Sequence, residues 1–174
     1  IRSVSIESNS LATLKNGLCG LESLLFDRVS IISKNIIRYF PVLRQKSDKI
    51  FEVPIGVNLD FFKPVPLARQ SELREKLKLG RGNILIYVGK MDSTRQLHKL
   101  IQSFRILKDQ MRDNAVSLLM DGDGADRLNI QSMSVDMGLQ HHVHFTGLVP
   151  YAEVRDYISI PDIAISYIPI NQTY

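Results

Sequence analysis

Ile84-Leu85-Ile86-Tyr87-Val88-Gly89-Lys90-Met91-Asp92 opens a stretch that returns as Leu118-Leu119-Met120-Asp121-Gly122-Asp123-Gly124. It closes as His144-Phe145-Thr146-Gly147-Leu148-Val149-Pro150. The first two segments are short, largely apolar runs leading into glycine, and the third leads into Gly147. Such runs predict strands of a parallel sheet buried on both faces. Leu97, Leu100, Ile101, Phe104 and Leu107 fall on one face of a helix predicted over Leu97 to Met111. A second helix is predicted over Arg127 to Met137, stopped by Gly138. The order strand, helix, strand, helix, strand makes the fold class α/β, a Rossmann-like parallel sheet. Sheets of this kind bind ligands at the carboxyl ends of their strands.

Outward from this block, Val116 to Met120 and Val143 to Phe145 are the second and third strands. Pro150 starts a helix to about Ile158, and Asp162 to Tyr167 is a fourth strand. Upstream, Leu11 to Leu25 has helical spacing. Asp27 to Ser33 is β-rich, and Ser33 caps a helix over Lys34 to Phe40. Ile50 to Val53 is a short strand, and these elements lack a sheet of their own. Gly56, Pro64 and Pro66 mark a connector over residues 55–67, followed by a helix from Ser71 to Leu79 that Gly80 ends. The division expected is the end of an amino-terminal domain at 1–54, a connector at 55–67 and a carboxyl-terminal domain at 68–174.

Composition is that of a soluble globular protein: 44% hydrophobic and 23% charged residues over 174 positions. The 22 basic and 18 acidic residues give a net charge of +4, too dispersed to imply nucleic-acid binding. A lone cysteine, Cys19, excludes an intrachain disulfide and favours the reducing cytoplasm. No apolar run reaches the roughly 20 residues of a membrane-spanning helix.

The turn after the first strand of the block carries cations, Lys90 and Arg95, where a dehydrogenase would carry glycines. It leads into a helix N-terminus, which attracts anions through free N–H groups and the helix dipole. Lys90 and Arg95 are therefore candidates to flank a diphosphate and offset charge as it departs. Gly122 and Gly124 allow close backbone approach to a ligand, and Asp123 is placed to bond a hydroxyl. A turn capped by aspartate accounts equally well for these carboxylates. Gly124 is followed by Ala125-Asp126-Arg127 with no third glycine, which argues against a dinucleotide fingerprint and a nicotinamide-dependent oxidoreductase. His141, His142 and His144 have no carboxylate or cysteine at metal-ligand spacing and read as a surface cluster, so no metal is expected.

These three motifs together resemble the carboxyl-terminal domain of GT-B glycosyltransferases of the retaining group 1 type, family four. Val53-Pro54-Ile55-Gly56-Val57-Asn58-Leu59-Asp60-Phe61-Phe62-Lys63-Pro64 is similar to that family's interdomain connector, and Asp27 to Phe40 to the end of its amino-terminal, acceptor-side domain. The resemblance implies transfer of a sugar, with retention, from a nucleoside diphosphate sugar to a hydroxyl acceptor on a glycan, a lipid-linked carrier or a small molecule. By position, Lys90 and Arg95 would hold the donor diphosphate. Gly89, Gly122, Asp123 and Gly124 would lie at the donor, and Gly147, Leu148 and Val149 would line the base. It implies no cofactor and no metal, a cytoplasmic location and open scope for peripheral contact with the inner face of a membrane. Where the family has lysine-glycine this chain has Arg95-Gln96, which predicts a stiffer loop. The family's paired glutamates would follow the strand near Tyr167 and do not appear before Tyr174. The chain is thus expected to be a piece of a longer enzyme, inactive by itself, and a non-catalytic nucleotide-sugar-binding module is the alternative.

Overall fold

The computed structural model describes residues 21–22, 25–40, 43–44, 48–111 and 116–167. The helix expected over Leu11 to Leu25 lies almost wholly outside these residues, as does Cys19. The chain divides into two compact units between Asn58 and Leu59.

In the first unit, β1 (Val29–Ile31) and β2 (Ile50–Glu52) pair in parallel, Val29 opposite Ile50. The two short strands thus complete each other, against the expectation that they lack a sheet. The predicted helix between them is a 3-10 segment, Lys34–Tyr39, capped by Ser33 Oγ accepting from Asn35 N at 3.3 Å. The cap was legible because a serine side chain satisfies an otherwise orphaned N–H there.

The second unit contains α1 (Leu67–Lys76), β3 (Asn83–Val88), α2 (Leu97–Gln110), β4 (Val116–Asp121), α3 (Arg127–Asp136), β5 (Val143–Gly147), α4 (Tyr151–Ile158) and β6 (Ile163–Ile165). Its four strands are parallel, in the order β5-β4-β3-β6. Alternation along the strands divides the core into two layers. Leu118 and Met120 of β4 face Leu97, Ile101 and Phe104 of α2 and Ile130 of α3. Leu119, with Ile84 and Ile86 of β3, faces Leu73 of α1 and Ile160. Every residue of β4 is buried, Ser117 and Asp121 included, which is why Val116 and Leu118 to Met120 read as apolar with no exposed polar face.

Helix α1 starts at Leu67, four residues before the predicted Ser71, because Pro66 supplies a fixed φ at its threshold. It also stops short of Gly80. Lys78 takes the left-handed conformation (φ 54°), and Leu79 N donates to Arg74 O at 2.9 Å. That six-to-one bond closes the helix end without a glycine. Arg69 Nε donates to Asp156 at 3.0 Å and Arg74 to the Ile160 carbonyl at 2.9 Å, fixing α1 against the α4 region. Among the described residues, no helix is long and apolar enough to cross a membrane.

Candidate functional site

Three loops leave the carboxyl ends of β3, β4 and β5 side by side, because those strands are parallel neighbours. Backbone hydrogen bonds continue the sheet ladder into the loops. Gly89 N donates to Asp121 O and Met91 N to Asp123 O, both at 2.9 Å. Asp126 N donates to Met91 O at 3.0 Å, and Gly122 N to Gly147 O at 3.1 Å. Met91, fully buried, anchors the first loop in the core.

This lattice explains two of the predicted glycines differently from ligand approach. A Cβ on Gly122 would lie 2.0 Å from the Gly89 carbonyl oxygen, and one on Gly124 would lie 2.2 Å from that of Met91. Both glycines let the second loop press backbone-to-backbone on the first. Asp123 is similarly engaged: it accepts from Gly124 N at 2.8 Å and pairs with Arg127 Nε at 3.0 Å. Gly147 has φ +72° with open space where a Cβ would go, so its requirement is conformational.

The basic turn is organised by a residue that sequence reasoning passed over. Asp92 caps the 3-10 turn Ser93–Arg95, accepting from Thr94 N at 3.1 Å, while its other oxygen meets Lys90 Nζ at 2.8 Å. The bond to Lys90 first, and those to Thr94 second, hold the Asp92 carboxyl at about 2. Tyr87, buried in β3, donates its hydroxyl to the Lys90 carbonyl at 3.0 Å, so the turn is fixed from below. Burial pushes the Tyr87 phenol up, against a smaller downward pull from Arg95. The Lys90 side chain is 69% exposed, and no carboxylate pairs with Arg95 among the described residues. Gln96 is left-handed (φ 48°) where the resemblance has glycine, so the chain adopts a glycine-type turn with a side chain in it.

Two grooves flank the Gly89–Lys90 segment. One, of about 330 Å³, brings together the predicted Gly89, Lys90, Gly122, Asp123, Leu148 and Val149. The other, of about 360 Å³, is shared by Lys90 and Arg95 with Tyr87, Ser166 and Tyr167. Gly124 and Gly147 support these grooves without lining them. Asp121 also lines the first groove although it is only 3% exposed, and it accepts from Thr146 Oγ1 at 2.8 Å. Burial pushes its carboxyl upward, and the Thr146 bond offsets part of that. The visible signal was an acid closing an otherwise apolar strand, Leu118-Leu119-Met120-Asp121.

Of the histidines, His141 is exposed as expected, whereas His142 and His144 are half-buried. Burial first, and neighbouring positive charge second, pull both below the ordinary imidazole value. Among the described residues, no three His, Cys, Asp or Glu side chains converge as a metal-ligand set.

Residues 69–167 match the sequence pattern of "Glycosyl transferases group 1". The chain belongs to the group 1 glycosyltransferases. This glycosyltransferase chain is 26% identical over 137 residues to the GDP-mannose-dependent alpha-(1-6)-phosphatidylinositol monomannoside mannosyltransferase of Mycolicibacterium smegmatis (strain ATCC 700084 / mc(2)155). The match covers 79% of this chain and 35% of that protein. Among solved structures, Anabaena Alr3699/HepE in complex with UDP superposes with a TM-score of 0.74 at 16% identity, over 92% of this chain and 43% of that one. WaaG, a glycosyltransferase involved in lipopolysaccharide biosynthesis, superposes at 0.63 with 17% identity, over 79% of this chain and 37% of that one. These likenesses show the GT-B fold. The chain spans about a third of the length of the curated relatives it matches.

Proposed function

We propose that this chain carries the donor-binding part of a retaining glycosyltransferase, which moves a sugar from a nucleoside diphosphate sugar to a hydroxyl acceptor. One observation carries the reading: two cations, Lys90 and Arg95, border one groove at the carboxyl edge of a parallel sheet, on a turn tied down by Asp92 and Tyr87. In the reaction the anomeric C–O bond to the diphosphate and the acceptor O–H bond break, a bond from the anomeric carbon to the acceptor oxygen forms, and the proton leaves with the departing diphosphate. Negative charge accumulates on the departing diphosphate. Fixed cations stabilise such charge with little reorganisation at the moment of bond breaking. On this reading the leaving group is neutralised by protein cations, and neither a metal nor a cofactor is needed.

The division of labour follows the sequence: residues 1–54 end the acceptor-side domain, 55–67 connect, and 68–174 hold the donor. The acceptor is a glycan, a lipid-linked carrier or a small molecule. The enzyme works in the cytoplasm, with peripheral contact at the inner membrane face where the acceptor is lipid-linked. Support for the donor class comes from relatives named as GDP-mannose-dependent mannosyltransferases and from a fold neighbour solved with UDP.

The test is donor turnover by the longest version of the protein, with Lys90→Ala, Arg95→Ala and the pair. Each single change is expected to lower kcat by 10-fold or more, at about 1.4 kcal/mol per tenfold. Turnover unaltered in the double variant refutes the reading, and nucleotide binding without any turnover assigns the chain to the non-catalytic alternative.

A further inference from the structure

Asp121 is more than nine-tenths buried as a residue, yet it lines the groove beside Lys90. Thr146 occupies Oδ1, and no other side chain bonds or pairs with this carboxyl among the described residues. Desolvating a carboxylate without donors for its oxygens is costly. A second oxygen with no protein donor, at the wall of an open groove, is therefore an acceptor reserved for a ligand. Val88, Leu148, Val149 and Val154 form an aliphatic side of that groove, and Lys90 and Asp123 line it as well. Asp123 in the same lining is already engaged by Arg127 and Gly124 N, so Asp121 is the acid there without an ion-pair partner among the described residues. An aliphatic side beside such an acid suits a planar heterocycle that presents N–H groups better than a hydroxylated sugar ring.

We propose that Asp121 selects the base of the nucleotide donor, accepting N–H bonds from guanine and disfavouring uracil. This rests on the donor-binding reading above and refines it. An ionised carboxylate only accepts hydrogen bonds. Guanine offers two adjacent donors, N1–H and the 2-amino group, to its two oxygens or to the one left free. Uracil offers a single N3–H between two carbonyl oxygens, which an acid repels. A site built around a buried hydrogen-bonding group rejects a ligand that leaves the group unpaired. Thr146 holds the carboxyl in place from β5 and so acts as its positioning residue.

The experiment is calorimetric binding of GDP, IDP and UDP to the longest version of the protein, wild type and Asp121→Asn. GDP is expected to bind at least 10-fold more tightly than UDP. IDP, which lacks the 2-amino group, is expected to bind about 10-fold more weakly than GDP, as befits a bond to a charged acceptor. Asp121→Asn should erase most of the GDP-over-UDP ratio while leaving UDP within about twofold. The proposal is overturned if wild type binds UDP as tightly as GDP, if IDP equals GDP, or if the variant weakens both nucleotides equally, as a ribose contact would. The wild-type GDP and IDP pair decides the matter even where Asp121→Asn fails to fold. Failure of every nucleotide to bind would instead strike the donor-binding reading itself.

Discussion

Gly122→Ala should unfold this chain far more easily than its conservative appearance implies. The added Cβ would meet the Gly89 carbonyl oxygen at 2.0 Å and its carbonyl carbon at 3.0 Å, both backbone atoms that cannot swing aside. Relief requires the first and second loops to part. That breaks the Gly89 N to Asp121 O and Met91 N to Asp123 O bonds, each 2.9 Å. Two such bonds contribute about 1 kcal/mol each. The backbone at φ +132° adds about 1–2 kcal/mol of strain for any side chain. The total is about 3–4 kcal/mol, which for a chain of this size lowers the melting temperature by roughly 10 °C. Gly124→Ala should behave alike, with Met91 O at 2.2 Å. Gly147→Ala should cost only about 1 kcal/mol, because its left-handed φ meets no neighbour. Gly80→Ala, with ordinary φ and open space, should be nearly silent. Thermal unfolding followed by circular dichroism ranks the four. If Gly122→Ala and Gly124→Ala melt within about 2 °C of wild type, the loops are not held together as described.

Lys78→Gly and Gln96→Gly should each stabilise the chain by about 0.5 kcal/mol in urea unfolding, because both positions hold a left-handed backbone that glycine adopts without strain. Asp92 has a folded-state pKa lowered from 3.8 to about 2, so the stability it contributes is present above about pH 4 and lost as pH falls toward 2. Asp92→Asn should flatten that acid limb in pH-dependent unfolding, and an unchanged limb contradicts the Lys90 contact. Asp121 has the opposite sign. Its raised pKa makes its contribution greatest below the ordinary aspartate value and smaller as pH rises through the folded value. Thr146→Val removes the bond that favours the ionised form, so it should steepen that decline, measured as unfolding free energy against pH.

What the sequence discloses here is what burial writes into it. Strands β3 and β4 carry contiguous apolar runs because helices cover both faces of the sheet, and α2 shows its buried stripe at Leu97, Leu100, Ile101 and Phe104. The cations Lys90 and Arg95 were visible as positive charge in the turn between a buried strand and a helix N-terminus. The roles of Gly122 and Gly124 were not, because what they accommodate is the backbone of residues more than 30 positions earlier. Asp92 and Tyr87 escaped notice for a related reason. A capping acid and a strand tyrosine are common, and only the fold shows that both converge on Lys90. Asp121 was readable as an anomaly in a buried strand, but its facing a groove is a tertiary fact. The early start of α1 at Leu67 was hidden because Pro64 and Pro66 read as a connector, although proline also opens helices.

The most direct test of the diphosphate cradle is calorimetry of GDP and UDP on the longest version of the protein, beside a Lys90→Ala/Arg95→Ala double variant of unchanged melting temperature. The account predicts that at least one nucleotide binds the wild type and that the double variant loses 100-fold or more in affinity, the effect of two charge-assisted contacts of about 1.5 kcal/mol each. Equal affinity in the two proteins would contradict it.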